Sequence, residues 1–184
     1  MCVSTDFDDE QRNVLLAQRG DRAALSRLVD SYDRRLLYFI RRILGEQESA
    51  FDVLQDVWIA VHRRLPSLKS AAAFRVWVYR IAHDLAVSEL RRKHRRPLVV
   101  DDTAVIDANG VDDGDHEAVL DDAELVHIGL QQLSLDHRRI LTLRFLESMK
   151  VAEIAEVLNC SDGTVKSRLH HAQRALRQYI EAIQ

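Results

Sequence analysis

Apolar positions along this chain fall into stripes with helical spacing. Ala23, Leu25, Leu28, Tyr32, Leu36, Phe39, Ile40, Ile43 and Leu44 recur mostly at three- to four-residue intervals, and Gly45 follows as a stop. A second stripe, Val53, Leu54, Val57, Trp58, Val61 and Leu65, ends at Pro66. A third runs through Phe74, Trp77, Val78, Ile81, Ala82, Leu85, Ala86 and Leu90 into the basic run Arg91-Arg92-Lys93-His94-Arg95-Arg96. Amphipathic helices of this length are marginal alone, so each is expected to bury one face against the others. Further on, the pattern predicts a helix from Val119 to Leu130, another through Ile140 to Leu146, a short one at Val151–Leu158, and a last from Asp162 through Gln178.

The composition agrees with an all-α fold. Of 184 residues 47% are hydrophobic, with only 6 Gly and 2 Pro, enough apolar material for packed cores and few helix breakers. The stretch 97–117 differs, carrying Asp101-Asp102, Asn109-Gly110 and Asp112-Asp113-Gly114-Asp115. A structureless connection of that length is uncommon inside a compact domain, and its negative charge favours an extended chain. Two small helical domains, 1–96 and 118–184, joined by an acidic linker at 97–117, are therefore expected.

Charge sharpens this division. The formal net charge of −3 conceals ten acidic residues and no Lys or Arg in 97–124, against eighteen basic and thirteen acidic in 1–96 and eight against six in 125–184. Two mildly basic modules around an acidic strip can attract nucleic acid, because a polyanion feels the local field within a Debye length.

The second module carries a helix-turn-helix pattern. Ala155 supplies the small residue at the crossing, Ile154, Leu158, Val165 and Leu169 are expected to lock it, and Ser161 is placed to cap the second helix. Ser134 is placed as a cap one helix earlier, with His137 rather than Glu three residues on. A helix held this way fits the major groove, where base edges present distinguishable donors and acceptors. Thr164, Lys166, Ser167, Arg168, His170 and His171 then become candidate DNA contacts. The competing reading is a solvated face of a protein-binding bundle. In the first module Arg75, Trp77, Tyr79, Arg80 and His83 lie on or beside the third stripe, where aromatics can stack on unpaired bases and Arg can hold phosphates. Trp58 and Trp77 have an equally simple reading as core residues.

Chemistry of other kinds finds little support. The eight His and two Cys form no zinc spacing, and the scattered acids suggest no catalytic pair, so no enzyme, metal or cofactor is expected. Cys2 and Cys160 make no disulfide framework. With no signal-peptide pattern and no run of eighteen apolar residues, a cytoplasmic protein without membrane insertion is the expectation.

Taken together, these segments resemble the extracytoplasmic-function (ECF) class of sigma-70 family factors over nearly the whole chain. Arg19–Leu25 with Leu28 and Tyr32 looks like the start of its region 2, and Phe51–Val61 like the segment that docks on polymerase. Phe74–Ala86 with Arg91 and Arg92 resembles the part that opens and reads the minus-ten element. Leu143–Glu147, Ala152–Leu158 and Gly163–His170 resemble region 4, which reads the minus-thirty-five element. The resemblance implies a sigma factor that directs core RNA polymerase to promoter DNA. It implies polymerase contacts at Asp52, Leu54, Gln55, Asp56 and Trp58, and DNA contacts at Arg75, Trp77, Tyr79, Arg80, His83, Asp84, Arg91, Arg92, Thr164, Lys166, Ser167, Arg168 and His171. An anti-sigma partner is a further implication. Phe51 stands where an acid is common in the family, Asp84 where Asn is, and His171 and Gln173 where Arg is. A non-sigma helix-turn-helix regulator and a helical adaptor remain the alternatives.

Overall fold

A computed structural model describes residues 3–45, 47–95 and 128–183. The expected linker 97–117 and most of the helix expected over Val119–Leu130 lie outside the described residues. Every regular element among the described residues is helical.

The first module contains α1 (Val3–Gln18), α2 (Arg22–Leu44), α3 (Gln47–Arg64) and α4 (Phe74–Arg95). Helix α2 starts where Asp21 accepts from the amides of Ala23 and Ala24 at 2.9 and 3.1 Å, which satisfies two donors that have no partner within the helix. It stops at Gly45, whose φ of 74° is a left-handed value that a Cβ would disfavour. Between these ends Ala24, Leu28, Tyr32, Leu36, Phe39 and Ile43 form one buried stripe. Facing it are Val53, Val57 and Val61 of α3 and Phe74, Val78, Tyr79 and Ala82 of α4, all buried. Rings meet edge to face here, Tyr32 with Phe74 and Phe39 with Tyr79, each at 5.4 Å, a geometry that adds attraction between ring edges and faces to the area buried.

Helix α1 was not expected from the apolar pattern. Val14 enters the core, and Gln18 donates its side-chain amide to the carbonyls of Leu65 and Leu68 at 3.0 and 2.7 Å. Those bonds tie α1 to the α3–α4 connection, which is built from 3-10 turns at Leu65–Ser67 and Ala71–Ala73.

In the second module a short helical segment at 128–132 precedes α5 (Leu135–Leu141), a π-helical turn at Thr142–Leu146, α6 (Val151–Leu158) and α7 (Asp162–Ile183). Ser134 accepts from the His137 amide at 3.4 Å, so it caps α5. Ile140, Leu143, Met149, Ile154, Val157, Val165 and Ala172 form the interior. The modules pack on one another, α4 against α6 and α2 against α5.

Candidate nucleic-acid and polymerase interfaces

The helix-turn-helix is set by its turn. Asn159 takes a left-handed φ of 50°, a conformation that Asn tolerates better than most residues, and ends α6. Ser161 then accepts from the Thr164 amide at 3.2 Å, and its hydroxyl lies 2.9 Å from that of Thr164. Ala155 is buried at the crossing with Val165, while Leu169 is half-buried beside them. Thr164 is thus engaged in the cap, and its side chain shares a hydrogen bond with Ser161.

Fixing Val165 and Ala172 inward decides what faces out. Gly163, Lys166, Ser167, His170 and Arg174 are exposed at helical spacing on one face, with His171 exposed at its edge. Arg174 was not singled out in the sequence, although its i+4 spacing from His170 could have found it. The rings of His170 and His171 meet at 5.6 Å. Arg168 lies on the flank, with its guanidinium 3.3 Å from Asp136 on α5. Arg139 binds the same carboxylate at 2.5 Å.

Along α4 the candidate residues separate into groups. Trp77, Arg80 and Asp84 line a groove with Ala60 and Arg64 of α3 and with Ile81 and Leu85, so an aromatic ring, two guanidiniums and a carboxylate share one concave surface. Arg64 is a residue of this groove that the apolar pattern could not single out. Asp84 is well exposed there, at 62%. Arg91 and Arg92 are exposed farther along, Arg92 bridging back to Glu89 at 2.7 and 2.8 Å.

Arg75, Tyr79 and His83 sit elsewhere. Tyr79 is fully enclosed, and burial followed by the negative charge of Glu147 pushes its hydroxyl far above the ordinary phenol range. It is a core residue, and its ring is not available to stack on a base in this arrangement. Arg75 reaches Glu153 at 2.7 Å and the Glu147 carbonyl at 3.3 Å. His83 is nearly buried, with Nδ1 3.2 Å from Asp84 and Nε2 3.1 Å from Arg139. Burial, together with the nearby Arg139 charge, lowers its pKa, although Asp84 opposes that shift.

On α3 the expected polymerase residues also divide. Asp52, Gln55 and Asp56 are exposed, whereas Leu54 is buried in the core and Trp58 is half-buried, donating its indole N–H to Asp33 at 2.9 Å. The exposed apolar side chains of this helix are instead Phe51 at 49% and Ile59 at 42%, with Arg41 over the Phe51 ring. Both lie outside the stripe that builds the core, so core periodicity pointed past them. No described helix is long and apolar enough to cross a membrane.

Comparison with known proteins fits this layout. Residues 28–96 match the model of Sigma-70 region 2, and residues 129–176 that of Sigma-70, region 4. The chain is 35% identical to the RNA polymerase sigma-H factor of Pseudomonas aeruginosa, with 96% of each chain covered. It is 30% identical to the ECF RNA polymerase sigma-E factor of Haemophilus influenzae, covering 95% of this chain and 96% of the relative. Among solved structures, the sigma factor RpoE in complex with the anti-sigma factor NepR from Bartonella quintana superposes with a TM-score of 0.70 at 19% identity, covering 85% of this chain and 96% of that one. CnrH in complex with the cytosolic domain of CnrY gives 0.68 at 21%, covering 95% and 98%. The chain belongs to the sigma-70 family. Within that family it is an RNA polymerase sigma factor of the ECF type, which sets aside the non-sigma regulator.

Proposed function

We propose that this sigma factor brings core RNA polymerase to specific promoters through two modules, 1–96 and 118–184, with the acidic stretch 97–117 as their tether. The supporting observation is the outward face of α7, where a capped helix with Val165 and Ala172 turned inward leaves Lys166, Ser167, His170 and Arg174 directed at solvent. That face suits the major groove of the upstream element. The groove of Trp77, Arg80, Arg64 and Asp84 suits unpaired minus-ten bases, where stacking contributes on the order of 1 to 3 kcal/mol per base and Arg holds the backbone. Phe51, Asp52, Gln55, Asp56 and Ile59 offer polymerase an apolar centre with a polar rim.

In this reading the protein works in the cytoplasm, contributes no catalytic step and lets polymerase carry the chemistry. The solved structures named above are complexes with an anti-sigma factor and with a cytosolic domain. A protein partner of the anti-sigma kind is proposed here as well. Transcription in vitro with purified core polymerase on a library of promoters tests the reading. Initiation from a defined subset is expected, and no initiation from any sequence would overturn it.

A further inference from the structure

Each module carries an edge that the other engages. Glu147 ends the π-helical turn of the second module, is only 4% exposed, and accepts from Arg35 of α2 through Nε at 3.0 Å and Nη2 at 2.5 Å. Glu153, in the first turn of α6, accepts from Arg75 at the start of α4. Farther along the same contact Arg139 meets His83, and Arg138 donates to the Arg42 carbonyl at 3.4 Å. These bonds run between α2 and α4 on one side and α5, the π turn and α6 on the other.

The polarity of the two ion pairs is uniform. Both guanidiniums come from the first module, and both carboxylates come from the second. A carboxylate offers a guanidinium the planar oxygen pair that a phosphate also offers. While the modules are closed, Arg75 is neutralised by a group with the chemistry of a nucleic-acid backbone, and the first helix of the helix-turn-helix lies on α4. A strand crossing α4 at Arg75 would have to displace Glu153 first.

We propose that Glu147 and Glu153 form an intramolecular latch. They occupy the Arg35–Arg75 edge as stand-ins for phosphates, and the chain must open there before Arg75 meets promoter DNA. This rests on reading Arg75 as a nucleic-acid contact. The Arg35 side chain is 44% exposed but its partner Glu147 only 4%, and Arg75 and Glu153 are 17% and 27% exposed, so salt reaches the Arg75–Glu153 pair more readily than the buried Glu147 carboxylate. A competing polyanion therefore meets the Arg75–Glu153 end of the latch first.

Replacing Glu147→Gln and Glu153→Gln together in the full chain removes both charges with little change of shape. Glu153 now accepts from the Lys150 amide at 2.6 Å, and an amide oxygen in its place can accept the same bond, so α6 keeps its start. The single variant Glu153→Gln, at the pair outside the core, keeps the test informative if the double variant fails to fold. X-ray scattering measures closure, and fluorescence anisotropy measures affinity for a labelled single-stranded oligonucleotide of mixed sequence. The wild type is expected to be compact at low salt, with added salt loosening the Arg75–Glu153 end first. The double variant is expected to be expanded already at low salt and to bind the oligonucleotide roughly threefold to tenfold more tightly, with Glu153→Gln shifting both readouts the same way. A variant as compact as the wild type at low salt would overturn the latch, as would a wild type that is expanded at every salt concentration. Opening without tighter binding would overturn the phosphate stand-in role. Promoter-directed transcription judges the sigma function separately, because a failed latch leaves it intact.

Discussion

The indole N–H of Trp58 donates to the Asp33 carboxylate across the α2–α3 contact, at 2.9 Å. With the buried stripe Val53, Leu54, Val57 and Val61, this bond orients α3 so that Phe51, Gln55, Asp56 and Ile59 face outward. Asp33→Ala should lower stability by about 1 to 2 kcal/mol, since a hydrogen bond to a charged group is lost and a half-buried donor is stranded. Leu54→Ala, in the core, should cost about 2 to 5 kcal/mol. Ile59→Asp should leave urea unfolding within about 0.5 kcal/mol of wild type while weakening capture by core polymerase. Chemical denaturation beside a polymerase pull-down separates the three. Wild-type capture by Ile59→Asp would move the polymerase face elsewhere.

The environment of His83 predicts a pH dependence. With the proton on Nδ1, that nitrogen donates to Asp84 and Nε2 accepts from Arg139, so neutral imidazole satisfies both neighbours. Asp136 lies near enough to favour the charged ring weakly, but burial and Arg139 favour the neutral one, and the folded pKa is lowered. As pH falls through the ordinary histidine value of about 6.5, the unfolded chain takes up a proton that folded His83 refuses. Stability contributed here is therefore present above that value, is lost as pH drops toward the lowered folded pKa, and levels off below it. Thermal melts across this window should show a shallower decline for His83→Gln than for wild type. Equal slopes would remove His83 from the acid response.

Local rules made much of this fold readable. Gly45, Ser134 and Ser161 mark helix ends through bonds within four residues, and the stripe from Ala24 to Ile43 repeats at the helical period. Helix α1 escaped because its anchoring is distant: Gln18 bonds to residues 47 and 50 positions away. The site was partly readable for the same reason. Periodicity places Leu54 and Tyr79 on apolar stripes, but it cannot say whether core or partner covers them, and here the core does. Lys166 and Ser167 were legible because a capped helix with a known buried side leaves only one face to solvent. The pairing of Arg35 with Glu147 spans 112 residues and has no local signature.

Gly129 marks a close approach between the segment 128–132 and α7. A Cβ there would stand 2.7 Å from Leu176 Cδ1 and 3.5 Å from Tyr179 Cδ1. Gly129→Ala should gain up to about 1 kcal/mol of helix propensity and lose about 1 to 3 kcal/mol to overpacking, for a net loss. Adding Leu176→Ala should recover part of that loss, as a double-mutant cycle would show. No recovery would mean that the conflict lies with Tyr179 or the backbone.

The outward and flanking cations of α7 should respond differently to truncation. Lys166 is exposed, and Lys166→Ala should remove one phosphate contact, reducing the salt slope of duplex binding by about 1 without changing thermal stability. Arg168 is tied to Asp136, a carboxylate that Arg139 also binds. Because Asp136 keeps that second partner, Arg168→Ala should destabilise by no more than about 0.5 kcal/mol, and its larger effect should fall on affinity for the minus-thirty-five duplex. Measuring both variants by anisotropy on duplex DNA and by urea unfolding distinguishes these roles. If Arg168→Ala loses more than about 1 kcal/mol of stability while duplex affinity per folded molecule stays unchanged, Arg168 holds α7 to α5 and does not read DNA.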